Sequence, residues 1–279
     1  MNAAAVRWLW RGTQLAALGW VAYTLATWLV PGWICFLGSG RHCADAAIDA
    51  LDQKPPNADA LRFSARGCDL GNTTACNALG ICYQLGAGTA KDFVRASQQY
   101  RKACDIGSSF ACYNYAHLPD EEKLPPLPES EQLRAYGRSC ELKLGAGCRR
   151  LISLSKDRGK SLEFARKGCA LEDAPSCAAK AVLLASTQPK SEEAHQSVVE
   201  LTALCSESDA TACGVLGMLY GAGATVARDV PRAKELMGRA CRRGNKSACD
   251  MQNDGAMLAK LPELLPLIVE KISRSEVGP

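Results

Sequence analysis

No charged side chain occurs between Gly12 and Gly40 of this 279-residue chain, and that absence is the first constraint on where the protein resides. Leu15–Leu37 is mostly apolar, and a bilayer is crossed by roughly 20 helical residues, so the run is long enough for one transmembrane helix. Histidine is scarce as well, with only His42, His117 and His195, and no two cysteines are spaced as CxxC. The usual zinc hooks are therefore missing. HExxH, GxSxG and GxxxxGK[ST] are also absent, which removes zinc-protease, α/β-hydrolase and phosphate-loop chemistry from consideration. A net charge of +4 is too small to argue for a nucleic-acid partner. The sequence assigns no catalytic residue, no cofactor and no metal ligand.

Arg7 and Arg11 precede the uncharged run, while Asp45, Asp49 and Asp52 come after it. The positive-inside bias then keeps the N-terminus in the cytoplasm and exports the chain beyond residue 40. All five tryptophans, Trp8, Trp10, Trp20, Trp28 and Trp33, lie in or beside this segment, as interfacial aromatic belts require. The expected organisation is a short cytoplasmic end at 1–11, a membrane anchor at 12–37, a helical array at 38–254 and a capping helix at 255–279. The competing reading of the anchor is a signal peptide cut after Ala26 or Gly40.

Cysteine is abundant, and its order is informative. Fourteen of the fifteen cysteines form seven pairs with one spacing of eight: Cys35/Cys43, Cys68/Cys76, Cys104/Cys112, Cys140/Cys148, Cys169/Cys177, Cys205/Cys213 and Cys241/Cys249. Seven equal spacings predict seven short-range disulfides, and with them an oxidising compartment. From Cys68 to Cys241, four of the five steps between pairs are 36 residues and one is 29, a period that signals stacked helix pairs. The fold expected is an all-α, right-handed α/α solenoid of about six stapled pairs, preceded by one transmembrane helix.

The segments Cys76–Cys104 and Cys213–Cys241 align without a gap, matching Leu79 to Leu216, Gly80 to Gly217, Tyr83 to Tyr220, Gly86 to Gly223, Asp92 to Asp229 and Ala96 to Ala233. Each reads as a helix A, a Gly-rich turn and a helix B. Asp92 and Asp229 stand where an N-cap is wanted, and Gly38, Gly71, Gly107 and Gly244, each three past the first cysteine of a pair, suit a helix stop. These residues resemble the Sel-one-like repeat (SLR), a relative of the tetratricopeptide repeat, in the disulfide-rich form of the Helicobacter cysteine-rich proteins. The resemblance spans about 43–254. It implies a scaffold that binds a protein or peptide on its concave surface, without catalysis of its own. It also implies two alternatives: penicillin-binding or β-lactamase activity, and an assembly factor of the mitochondrial intermembrane space. The bacterial periplasm is the compartment expected first, with secretion or the intermembrane space as alternatives.

Other units depart from the pattern. "LPDEEKLPPLPESE" replaces one Gly turn, and Pro125, Pro126 and Pro128 predict a stiff extended loop there. Cys148–Cys169 is seven residues short, close to two helical turns. These eroded units place the first loosening under reductant at 112–169. Cys82 is left as a free thiol in a core-facing slot of helix A. Ser153 and Lys156 form an isolated S-x-x-K, a pattern expected by chance about once in such a chain.

Overall fold

The computed structural model describes residues 35, 37–56, 58–122, 124–206, 209–253 and 260–263, and no strand occurs among them. The expected span at 12–37 lies outside the described residues except for Cys35 and Leu37, and no described helix is long and apolar enough to cross a membrane. The helices follow one another as A–B pairs: α1 (Gly40–Asp52) with α2 (Asp59–Asp69), α3 (Thr73–Leu85) with α4 (Phe93–Asp105), and α5 (Ser109–Glu122) with α6 (Glu129–Glu141). They continue as α7 (Gly145–Leu154) with α8 (Arg158–Ala170), α9 (Ala174–Thr187) with α10 (Glu192–Ser206), α11 (Ala210–Ala222) with α12 (Val230–Arg242), and then α13 (Lys246–Asn253).

Each A helix begins a few residues before the second cysteine of its pair, and in most units a capping side chain four residues before that cysteine sets the start. Asn72, Ser108, Asp173, Asp209 and Asn245 accept the backbone N–H three residues on, at 2.9, 3.3, 3.0, 2.7 and 3.0 Å. B helices α4, α8 and α12 are capped in the same way by Asp92, Asp157 and Asp229, each at 2.9 Å. Such bonds satisfy donors that have no partner inside the helix. The two best-preserved units also close their turns identically, with Asp92 N–H on the Tyr83 carbonyl (2.9 Å) and Asp229 N–H on the Tyr220 carbonyl (3.0 Å).

A positive φ recurs at three places in the repeat, one of them Gly86 (76°) and Gly223 (68°) at the end of the A helix. Three residues past the first cysteine, Gly38, Gly71, Gly107 and Gly244 have φ of 98°, 77°, 101° and 90°, with open space where a Cβ would point. At that place Lys143 (65°) and Glu172 (61°) hold the same left-handed backbone with a side chain. Within the turn, Gly88 (73°) is answered by Thr225 (66°), a β-branched residue whose Oγ1 is buried without a partner. We predict that Lys143→Gly and Thr225→Gly each raise stability, by about 1 kcal/mol, since the left-handed strain of an L-residue disappears. Denaturant midpoints check this; no gain at either site would contradict it.

Close helix approach explains other glycines and alanines. Ala96 and Ala233 are fully buried. A Cβ on Gly80 would collide with the Tyr100 ring, whereas one on Gly217 would meet Met237 and the Ala233 carbonyl at 3.2 Å. Tyr100 is itself fully buried and donates its hydroxyl to Gln84 at 2.6 Å, so its ring has little room to yield. Gly80→Ala should therefore cost about 2–3 kcal/mol of overpacking strain, and Gly217→Ala clearly less. Equal effects in chemical denaturation would contradict that reading.

The chain divides into two compact units, one ending at Pro126 and the other beginning at Leu127. In the first, α1 to α5 pack in succession and α1 also touches α3. In the second, α6 to α13 pack in succession, and the A helices α7, α9 and α11 form a continuous row. The division falls in the proline-rich stretch, whose described non-helical residues are only 124–128: α5 runs through Pro119 to Glu122 and α6 already starts at Glu129. Pro119 cannot donate to the Tyr115 carbonyl, and α5 ends three residues later. The seven-residue deletion is not two helical turns. α7 has 10 residues where α3 has 13, and the following link has three residues, 155–157, where 86–92 has seven.

Candidate functional site

In each cysteine pair after the first, one sulfur comes from the junction at the end of one unit and the other from the first turn of the next A helix. Among the described residues all seven pairs are bonded, with Cα–Cα distances from 4.4 to 4.7 Å, within the range a disulfide requires. Cys82 is free and fully buried. It lies against the small side chains Ala50, Ala60 and Ala87, with Ser64 Oγ at 3.6 Å, and burial pushes its thiol above its ordinary pKa.

The residues that could have carried chemistry are occupied elsewhere. Ser153 donates its hydroxyl to the Arg150 carbonyl at 2.8 Å, and Lys156 pairs with Glu129 at 3.7 Å. His42 bonds Ser39 at 2.6 Å, His117 tilts against Tyr113 with ring centroids 5.4 Å apart, and His195 Nδ1 meets the Ser191 carbonyl at 2.9 Å. Cys169, Cys177 and Glu200 come close enough to ligate an ion. Both sulfurs are bonded to each other, however, and Lys180 Nζ already lies 2.5 Å from the Glu200 carboxylate, so the cluster is an ion pair beside a disulfide.

What the fold does build is surface on its A helices. In the second unit a groove of about 340 Å³ crosses three of them in register: Ile152 and Ser153 on α7, Ala179 and Val182 on α9, Val215 and Met218 on α11. Val215 and Met218 lie on one helical face because residues three apart are neighbours there. Arg149 stands at the edge of the groove and pairs with Asp173 at 3.4 Å. In the first unit the A helices α3 and α5 form a polar cleft of about 290 Å³ lined by Gln84, Tyr113, Asn114 and His117. Asn114 Nδ2 donates to Asn77 Oδ1 at 3.0 Å, joining the two helices. A third, open cleft of about 930 Å³ lies beside the α11–α12 turn, between His195 and the segment Thr225–Pro231. Apart from His117, His195, Ser153, Tyr220 and Asp229, none of the residues lining these surfaces was singled out from the sequence. Their signal is placement on successive A helices, and the bonded pair Asn77 and Asn114 stands one and two residues past successive second cysteines.

The Sel1 repeat family model matches residues 73–108 and 210–245, the two best-preserved units. A Sel1 repeat protein from Oxalobacter formigenes has a similar fold, with a TM-score of 0.64 at 20% identity over 85% of this chain and 99% of that one. The protective antigen c5321 of uropathogenic Escherichia coli, which displays an SLR fold, gives 0.65 at 15% identity, covering 87% of this chain and 58% of that one. Helicobacter pylori cysteine-rich protein B is 22% identical, over 58% of this chain and 95% of that one, with a TM-score of 0.28. No curated protein matches the sequence.

Proposed function

We propose that this chain, an SLR-fold array with Sel1 repeats at 73–108 and 210–245, is an exported scaffold that holds a segment of another protein along its A helices. The observation that carries this is the apolar groove across α7, α9 and α11. It presents faces of three successive units, which suits an extended apolar peptide. Seven disulfides point to an oxidising compartment. The uncharged run at 12–37, preceded by Arg7 and Arg11, supports tethering to a membrane with the array on the exported side, in a periplasm or a space of similar poise.

The test is site-specific photo-cross-linking in the native host. A photoreactive residue at Ala179 should trap one partner protein through a contiguous segment, and the same residue at exposed Lys234 on α12 should not. Met218→Glu should abolish the Ala179 adduct while the protein stays folded, at a melting temperature lowered somewhat because Met218 is half-buried against the core. Equal trapping at 179 and 234 would contradict the assignment, as would saturable nitrocefin hydrolysis by the purified protein that Met218→Glu leaves intact.

A further inference from the structure

Exposed apolar side chains are distributed unevenly between the two units. Among the described residues, eight large hydrophobic side chains are exposed; seven precede residue 111, and Val199 is the other. Three of the seven hold one repeat position. Leu37, Leu70 and Ile106 each stand two residues past the first cysteine of a pair and just before a positive-φ glycine, and are 77%, 39% and 46% exposed. Equivalent positions of stacked repeats line up along the stack, so these residues mark one edge, the edge where units join. Phe110, 61% exposed at the start of α5, lies at the third of these junctions. In the second unit the same position holds Leu142 and Leu171, both half-buried, and then the charged Glu207 and Arg243.

We propose that this edge of the first unit rests on a phospholipid bilayer surface. The inference depends on the reading of 12–37 as a membrane span. That span would end at Leu37, the first member of the row. The Cys35–Cys43 bond, with its Cα atoms 4.4 Å apart, fastens Cys35 to α1, which would keep the first unit close to the membrane. Exposed Arg66 and Lys102 stand two residues before the first cysteines of their junctions, and exposed Arg41 follows Leu37. An apolar row flanked by cations is the pattern of an interfacial surface. Asp69 and Asp105 lie on the same edge, so the contact is mainly apolar and only weakly sensitive to salt.

The full chain, reconstituted in vesicles of three parts zwitterionic to one part anionic phospholipid with a trace of photoactivatable lipid, provides the test. Adducts mapped by mass spectrometry should appear in 12–37 and in the peptides holding Leu70 and Ile106–Phe110. The latter should exceed those around Val199 at least tenfold. The double variant Leu70→Glu/Ile106→Glu should lower the edge adducts at least fivefold and leave those in 12–37 unchanged. Adducts in 12–37 but none at the edge would overturn the surface contact and leave the anchor standing. Edge adducts without any in 12–37 would do the reverse. Adducts in neither place would overturn both.

Discussion

Under mild reductant, Cys241–Cys249 should open first and Cys104–Cys112 among the last. Thiol–disulfide exchange needs in-line access of a thiolate to sulfur. Both sulfurs of Cys241–Cys249 sit on half-buried residues, whereas Cys104 is 6% and Cys112 0% exposed. A buried bond must wait for local opening, and an opening cost of about 3 kcal/mol slows exchange by roughly a hundredfold. This ordering revises the expectation from repeat erosion, which put the first loosening at 112–169. Cys112, Cys140 and Cys148 are buried despite their poor consensus, and only Cys169 at the end of that stretch is half-buried. The neighbouring junction is shielded further: Arg243 and Arg239 from the α12 end donate to the Cys205 carbonyl at 2.9 and 3.2 Å, and Arg243 also reaches Cys213 Sγ at 3.1 Å. Each opened staple removes a nine-residue loop constraint worth roughly 2.5 kcal/mol on the chain-entropy model. Timed alkylation with peptide mapping reads the order directly. Simultaneous opening of all seven bonds would show that reduction follows global unfolding instead.

Glu200→Ala should destabilise the second unit by about 2 kcal/mol, while Lys180→Leu should leave it within about 1 kcal/mol of the parent. Lys180 occupies the slot that holds Leu79 and Leu216 in the best-preserved repeats, three residues past the second cysteine. Its side chain is only 9% exposed, and Glu200 from α10, 33% exposed, accepts from Nζ at 2.5 Å. Removing the acid strands a buried cation. The usual cost of breaking a buried pair is about 3–5 kcal/mol, and the solvent that reaches Glu200 lowers it here. Removing the cation leaves a carboxylate that water already touches and restores an apolar residue to an apolar slot. Denaturant unfolding of the two variants measures the asymmetry. Equal losses, or a larger loss for Lys180→Leu, would mean that the pair is not held by burial of the lysine.

The residues that made the repeat readable are those whose role is set by backbone geometry. Asp92 and Asp229 had to cap helices because each follows a Gly-rich turn and precedes an apolar-periodic run. The four glycines past the first cysteines suited a helix stop because glycine adopts a positive φ without strain. Features that depend on contact were not legible in that way. Nothing local distinguishes Lys180 from a surface lysine; its burial comes with Glu200 on the next helix. The seven missing residues looked like two helical turns, but three came from α7 and four from its link, since a loop shortens without disturbing packed faces. The A-helix groove is likewise invisible to motif reading. Ile152, Ala179 and Met218 are ordinary apolar residues until three helices bring them together.

The most direct measurement is disulfide mapping of the protein recovered from its native host, digested without reduction and read by mass spectrometry. The account predicts seven nine-residue loops, Cys35–Cys43 through Cys241–Cys249, with Cys82 alone alkylated after denaturation. Bonds joining distant repeats, a bonded Cys82, or free thiols throughout with a bound metal would contradict the stapled array on which the fold and its compartment both rest.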